Sequence, residues 1–349
     1  VSTATDDFVD PIVLAPEGAV PERFFDRFVF SVHPVGAVAP TLHIGFGAHP
    51  GRGVADGFVL TVTDTEQRNL RYSTRLADVR ESDGVVSVDA LTFRTITPMQ
   101  RWRITLGENP SGTTFDVTWT ARTPAWHGTV EVGSGETATA TFDHLFQSGT
   151  YSGWIEIDGE RRDVDGWIGA RDRSRGVRTM RGGQGLHLWV LAHFPDVTLG
   201  ALLVEDRAGD RILLEGAVLR TDGTVDDVVD LRHDLRFDEQ LDLDAARLLV
   251  RTASGAEYPI TADTSARGGY MAGGGYGEHH GEDHGSGHRE SDVYALDGSV
   301  GPMTLDSALT DRTTLFVRDG PSDAGTGAGT GIFEFARTRS PRYTYRPTL

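Results

Sequence analysis

Apolar and polar residues alternate in short runs along most of the chain, and turns rich in glycine separate the runs. Residues 57–63, 85–93, 102–106 and 114–121 carry this period of two, which sets one face of a strand in a core and the other in water. Residues 153–157 lead through Asp158-Gly159 into 160–167, and Asp-Gly is a strong two-residue hairpin signal. The pattern restarts at 186–191, continues at 199–205 and 211–219, and returns in a pair, 247–252 and 258–261, joined through Ser254-Gly255. A last hairpin is expected from 314–318 and 332–336, tipped by the glycine-rich residues 320–331. Helical signal is scarce, with short helices expected only at 238–249 and 302–309, neither with a sustained amphipathic stripe. Many short strands between turns predict an all-β protein of barrels or sandwiches. The glycine-rich break at 181–185 divides it into an N-terminal β domain, 1–182, and a C-terminal one, 183–349.

Composition narrows the chemistry. The 33 basic residues are all arginine and oppose 51 acidic ones, a net charge of −18 that repels nucleic-acid phosphate and anionic membrane surfaces. Without lysine there is no Schiff-base enzyme and no P-loop lysine; without cysteine there is no thiol nucleophile, disulfide or thiolate metal site. No apolar run approaches the ~18 residues that span a bilayer, and residues 1–7 lack the basic and apolar regions of a secretory signal. The expectation is a soluble, cytoplasmic protein with no nucleic-acid partner and no transmembrane segment; the oligomeric state stays open.

Several constellations are candidates for function. His280, His284 and His288 are spaced four apart among acidic residues, as three ligands on one helical face would be, but glycines at 281, 285 and 287 oppose a helix. The bland reading, a solvated loop without a specific metal site, is preferred; His279 and His280 face a ligand cavity if the loop folds over a barrel mouth. The stretches 45–51 and 182–185 match no dinucleotide fingerprint, and no GxSxG elbow is present. The densest signal is 165–178, where four arginines and two aspartates follow directly on a strand. It reads either as an Arg/Asp network shaping a turn or as a strand delivering Asp172 to a cavity mouth. Alternation on a strand would point Arg171 and Arg173 away from Asp172; if the arginines instead converge on Asp172, the motif is a structural ion-pair clasp between the two barrels, and both readings stay open.

The run Phe142-Asp-His144-Leu-Phe-Gln147-Ser-Gly149, with Gly153, Asp158-Gly159, Asp165-Gly166-Trp167, Arg171-Asp172, Ser174, Gly176 and Arg178, resembles the signature of the carotenoid 1,2-hydratase (hydroxyneurosporene synthase)-like proteins. The chain departs from that pattern with Arg173 in place of His, Arg175 in place of Trp, and Ala170 where the hydratases carry a tyrosine. Weaker matches follow at 273–277 and at Gly329-Thr-Gly331-Ile-Phe-Glu334.

The resemblance implies two tandem lipocalin-like antiparallel β-barrels or sandwiches and chemistry on lipophilic, often isoprenoid or polyketide, substrates. It gives Asp172 the role of catalytic acid, with His144 assisting, and no cofactor. Protonating an unactivated alkene requires a carboxylic acid kept neutral near pH 7, and aromatic faces stabilise the cation that forms. Tyr151, Trp154, Trp167, Arg171 and Tyr276 are the expected substrate-binding residues. Two functions stay open: a cofactor-independent hydratase, cyclase or isomerase acting on a hydrophobic small molecule, or a non-catalytic lipophile carrier or scaffold.

Overall fold

The alternation along the chain becomes strands. The computed structural model describes residues 12, 14, 20–82, 84–132, 140–178, 184–318 and 327–349, among which there is no α-helix. No helix is therefore long and apolar enough to cross a membrane. In chain order the strands are β1 (Phe24–Val32), β2 (Thr41–His49), β3 (Val54–Val62), β4 (Glu66–Arg75), β5 (Arg80–Ser82), β6 (Val85–Val88) and β7 (Leu91–Thr97). They continue with β8 (Arg101–Leu106), β9 (Thr113–Ala121), β10 (Trp126–Val132), β11 (Ala140–Ile157), β12 (Glu160–Asp163), β13 (Ile168–Arg178), β14 (Gln184–His193) and β15 (Val197–Asp206). The last seven are β16 (Arg211–Arg220), β17 (Val225–Phe237), β18 (Leu243–Thr252), β19 (Glu257–Asp263), β20 (His288–Ala295), β21 (Thr310–Arg318) and β22 (Gly327–Arg337).

They form two sheets. The first runs β20-β4-β3-β2-β1-β13-β11-β9-β8-β7-β6-β5, with β10 and β12 also paired to β11. The second, β14 to β19 with β21 and β22, closes into an eight-stranded barrel. Phe28 of β1 meets Phe93 of β7 at 4.7 Å and Trp102 of β8 at 5.4 Å between ring centroids, although these strands are remote in the sheet order. The first sheet therefore curls around its own core, and the all-β architecture expected from alternation and resemblance is the one observed. Leu188, Val190, Leu203, Val250 and Phe335 fill the barrel interior.

Turn chemistry is as the residues dictate. Asp158 and Gly159 have φ of 53° and 83°, the pair of positive values a mirror-image two-residue hairpin requires, and they join β11 to β12. The final hairpin, β21 to β22, also forms; part of its glycine-rich tip and most of the 181–185 break lie outside the described residues. The two expected helices do not form. Residues 302–309 are turns and irregular chain, and much of 238–249 belongs to β18, whose Ala246, Leu248, Val250 and Thr252 are buried at a period of two. The reason is tertiary: these side chains complete the barrel core, and that burial overrides local helix propensity.

The outer faces of sheet and barrel pack together through Trp126, Phe146, Trp189, Leu202 and Ile332. Contact is close because β15 presents Gly200 to the Phe146 ring: a Cβ there would lie 2.3 Å from ring carbon. Gly200→Val should destabilise the fold by about 1–3 kcal/mol through overpacking, read as a lowered urea midpoint.

Candidate functional site

β1, β13 and β11 lie side by side, and their register decides which side chains leave the first sheet's core. Val29 stands opposite Asp172, and Ser174 stands between Arg27 on one side and His144 on the other. Arg171 and Arg173 turn inward. The Arg171 guanidinium lies 4.6 Å over the Trp102 ring, and Arg173 grips Asp26 through two bonds of 3.0 and 2.8 Å, with both partners fully buried. Asp172, one residue from each arginine, turns outward.

That outward face meets the barrel at a cavity of about 80 Å³. Arg27, His144 and Asp172 line it from the sheet, and Asp311, Glu334 and Trp189 from the barrel. Tyr276, on the connection between β19 and β20, closes one side, while Leu191, Leu202 and Ile332 supply an apolar wall.

Two acid–base groups face this space. In the first, His144 sits between two carboxylates, with Nδ1 2.5 Å from Glu215 Oε1 and Nε2 3.1 Å from Asp172 Oδ2. Burial opposes its charge, but Asp172 and Glu215 outweigh burial and raise its pKa to about 10, so the ring is an imidazolium at neutral pH. The Trp189 ring lies 4.9 Å away. In the second, Asp311 of β21 stands directly opposite Glu334 of β22. Burial, and then the Glu334 charge, hold the Asp311 carboxyl protonated well above the usual carboxylate range. The proton stays on Asp311 because His187 Nε2, 2.5 Å from Glu334 Oε1, and Arg27 both favour the ionised glutamate. The cavity thus has Asp311, a carboxyl whose proton is favoured by burial, in one wall and the charged His144 with Asp172 in the facing one.

Of the residues singled out from sequence, Asp172, His144 and Tyr276 line this cavity; the other four do not. Tyr151 is buried in the core of the first sheet because its position on β11 has the inward parity. Trp167 packs on the same core, Trp154 lies under Arg161 with the guanidinium 3.7 Å from its ring, and Arg171 is interior. Asp311, Glu334, Glu215, His187 and Arg27 were not singled out. A signal existed for two of them: extending the expected final hairpin by three residues places Asp311 opposite Glu334, itself part of the Gly329–Glu334 match.

Stability should fall on both sides of neutral pH. Burial lowers His33 to about 4 and His43 to about 3, so both are neutral in the fold but protonate near 6.5 when unfolded. Their contribution is present above pH 6.5 and lost as the pH falls toward 4 and below. His144 has the opposite sign: its contribution is complete below pH 6.5 and is lost as the pH rises through about 10. Denaturant midpoints across pH 4–10 should trace both limbs, and His144→Gln should flatten only the alkaline one.

The fold has solved relatives. A structure from Nitrosomonas europaea assigned as an AttH aligns with a TM-score of 0.58 at 17% identity, covering 92% of this chain and 98% of that one. Kievitone hydratase from Nectria haematococca aligns at 0.56 and 12% identity, covering 97% and 96%. CghA, solved with Sch210972, aligns at 0.52 and 10% identity, covering 96% and 97%. These likenesses are of fold. No curated protein matches the chain. Residues 36–278 match a family model described as "Domain of unknown function (DUF7064)", and the chain belongs to that family.

Proposed function

We propose that the protein is a cofactor-independent acid–base enzyme acting on a small, hydrophobic, unsaturated molecule, with the cavity between sheet and barrel as its active site. The observation that carries this reading is the buried Asp311–Glu334 carboxyl pair facing His144 and its hydrogen-bonded partner Asp172 across a partly apolar space, with burial favouring the proton on Asp311. Addition to an alkene needs a neutral acid for the carbon and a base for the incoming water, and pairs of groups driven to opposite protonation states supply both.

In the hydration form of the reaction, Asp311 gives its proton to one alkene carbon and the positive charge develops on the other. Trp189 and the carboxylates Asp172 and Glu334 stabilise that charge. Water adds to the cation and passes its proton to Asp172, whose carboxylate His144 orients. Proton return to Asp311 through solvent closes the cycle. Cyclisation or isomerisation uses the same first step, with loss of a proton from carbon in place of water capture.

This reading moves the acid from Asp172 to Asp311, because Asp172 accepts a hydrogen bond from the charged His144 while burial and Glu334 favour the proton on Asp311. The resemblance to the carotenoid 1,2-hydratase-like proteins and the fold shared with a protein named kievitone hydratase support hydration among these outcomes. A carrier has no use for six charged or titrating side chains (Arg27, His144, Asp172, His187, Asp311 and Glu334) around a ligand, since each costs desolvation. The test is to incubate the purified full chain with an extract of hydrophobic metabolites and follow bound and consumed compounds by mass spectrometry. A compound consumed with gain of one water, or converted at constant mass, is expected; a compound bound and released unchanged would make the protein a carrier.

A further inference from the structure

The histidine-rich connection before β20 has no part in that chemistry, yet it is the densest group of metal-ligating side chains among the described residues outside the cavity. Its geometry differs from the four-residue spacing visible in the sequence. His280 turns away, with Nδ1 3.3 Å from Asp56 Oδ1 and its ring 4.4 Å from that of Tyr276. The three that converge are His279, His284 and His288: one nitrogen from each lies within 4.8 Å of the other two. The His284 ring stacks at 4.3 Å on His279 and 5.1 Å on His288. Gly285 and Gly287, with φ of +89° and +71°, give the chain the left-handed turns that fold His284 back over its partners.

We propose that His279, His284 and His288 form a binding site for one divalent transition-metal ion of the zinc class. Zinc–imidazole bonds of 2.0–2.1 Å set ligand nitrogens roughly 3.3 Å apart in a tetrahedron, which side-chain rotation reaches from the observed spacing. Two of the rings already have the outer partners that ligating histidines use to fix their orientation. His279 Nε2 lies 3.4 Å from the Tyr72 carbonyl oxygen, and His288 Nε2 lies 3.1 Å from Glu290 Oε1. His279 can donate its N–H to that carbonyl and leave its other ring nitrogen to the ion, while Glu290 places a carboxylate beside the His288 ring. An all-imidazole set suits Zn²⁺, Co²⁺, Ni²⁺ or Cu²⁺ and disfavours Mg²⁺ and Ca²⁺. A separate cavity of about 300 Å³, lined by Ser73, Asp78, Asp89 and His288, adjoins the cluster and leaves room for water as a further ligand.

The ion would act as a clasp. It ties the buried end of the connection at His279 to the start of β20 at His288, and so holds the segment that lays Tyr276 on the cavity. The experiment uses the untagged full chain, freed of metal by chelation and titrated with Zn²⁺ in a calorimeter and with Co²⁺ by visible absorption. One ion per chain, a raised thermal midpoint with Zn²⁺, and a Co²⁺ spectrum of four- or five-coordinate type are expected. His284→Gln, at an exposed position, should fold normally by circular dichroism and weaken binding by about 100-fold or more, at least the loss that an outer partner of a ligand causes. His280→Gln should leave affinity unchanged. Undetectable binding, several weak ions per chain, or equal affinity in wild type and His284→Gln would overturn the site; loss on His280→Gln would overturn the ligand set.

Discussion

Asp311→Asn should lower turnover by roughly 10²–10⁴-fold, the range a positioned general acid supplies, while substrate binding changes little. The substitution is nearly isosteric, and the new amide can still donate to the Glu334 carboxylate opposite it, so the barrel wall should hold its shape. What is lost is the transferable proton, which acts only in the transition state; kcat and kcat/KM should therefore fall together. The pH profile carries the same signature. Wild-type activity should decline on the alkaline side as the Asp311–Glu334 pair gives up its shared proton, and the variant's residual rate should lack that limb. Asp172→Asn should also impair turnover, but by a different route: it removes one of the two carboxylates that keep His144 charged, so the His144 titration should move toward neutral pH. An Asp311→Asn enzyme with full activity would remove that carboxyl from the mechanism and return the acid role to Asp172, Glu334 or His144.

Asp26→Ala should cost about 3–5 kcal/mol of stability, because it strands a guanidinium in the interior. Asp26 and Arg173 have no solvent exposure and meet through paired, charge-assisted bonds. Arg173→Met alone should cost a similar amount, for it leaves a fully buried carboxylate without its guanidinium. The double variant Asp26→Leu/Arg173→Met removes both charges together and should recover most of the loss, since a buried ion pair gives little net stability over apolar side chains of matched volume. With Asp26→Leu as the second single variant beside Arg173→Met, chemical denaturation of wild type, the two singles and the double forms a complete cycle. Additive losses would mean that the two residues are stabilised by separate surroundings.

Much of the fold was legible, and the reason is local. A strand with one wet face must alternate, and runs such as 114–121 did so; the Asp158-Gly159 turn needed only its own two residues. Parity offered one of two open readings of the Arg/Asp motif, with Asp172 on the opposite face from Arg171 and Arg173, and that is the arrangement the structure has. Reasoning failed where the answer depends on partners distant in sequence. β18 looked helical because Asp238–Leu249 holds good helix formers, and only closure of the barrel shows that its alternate side chains have a core to enter. Tyr151 and Trp167 shared a motif with Asp172 but not its parity. Asp311 and Glu334 are separated by a glycine-rich tip and acquire chemical meaning only when they meet each other and the sheet across the interface. The histidine loop makes the same point on a smaller scale: spacing by four selected His280, while the folded turn selects His279.

β20 follows six barrel strands in the chain yet pairs along eight residues with β4, at the far edge of the first sheet. The molecule is therefore laced. If residues 20–178 and 184–349 were produced as separate polypeptides, the first would carry an open edge with a row of unpaired amides, the usual template for aggregation. The second would carry the missing strand as a loose arm. Mixed during refolding, the fragments should recombine into a soluble complementation pair, with strand donation standing in for the severed peptide link.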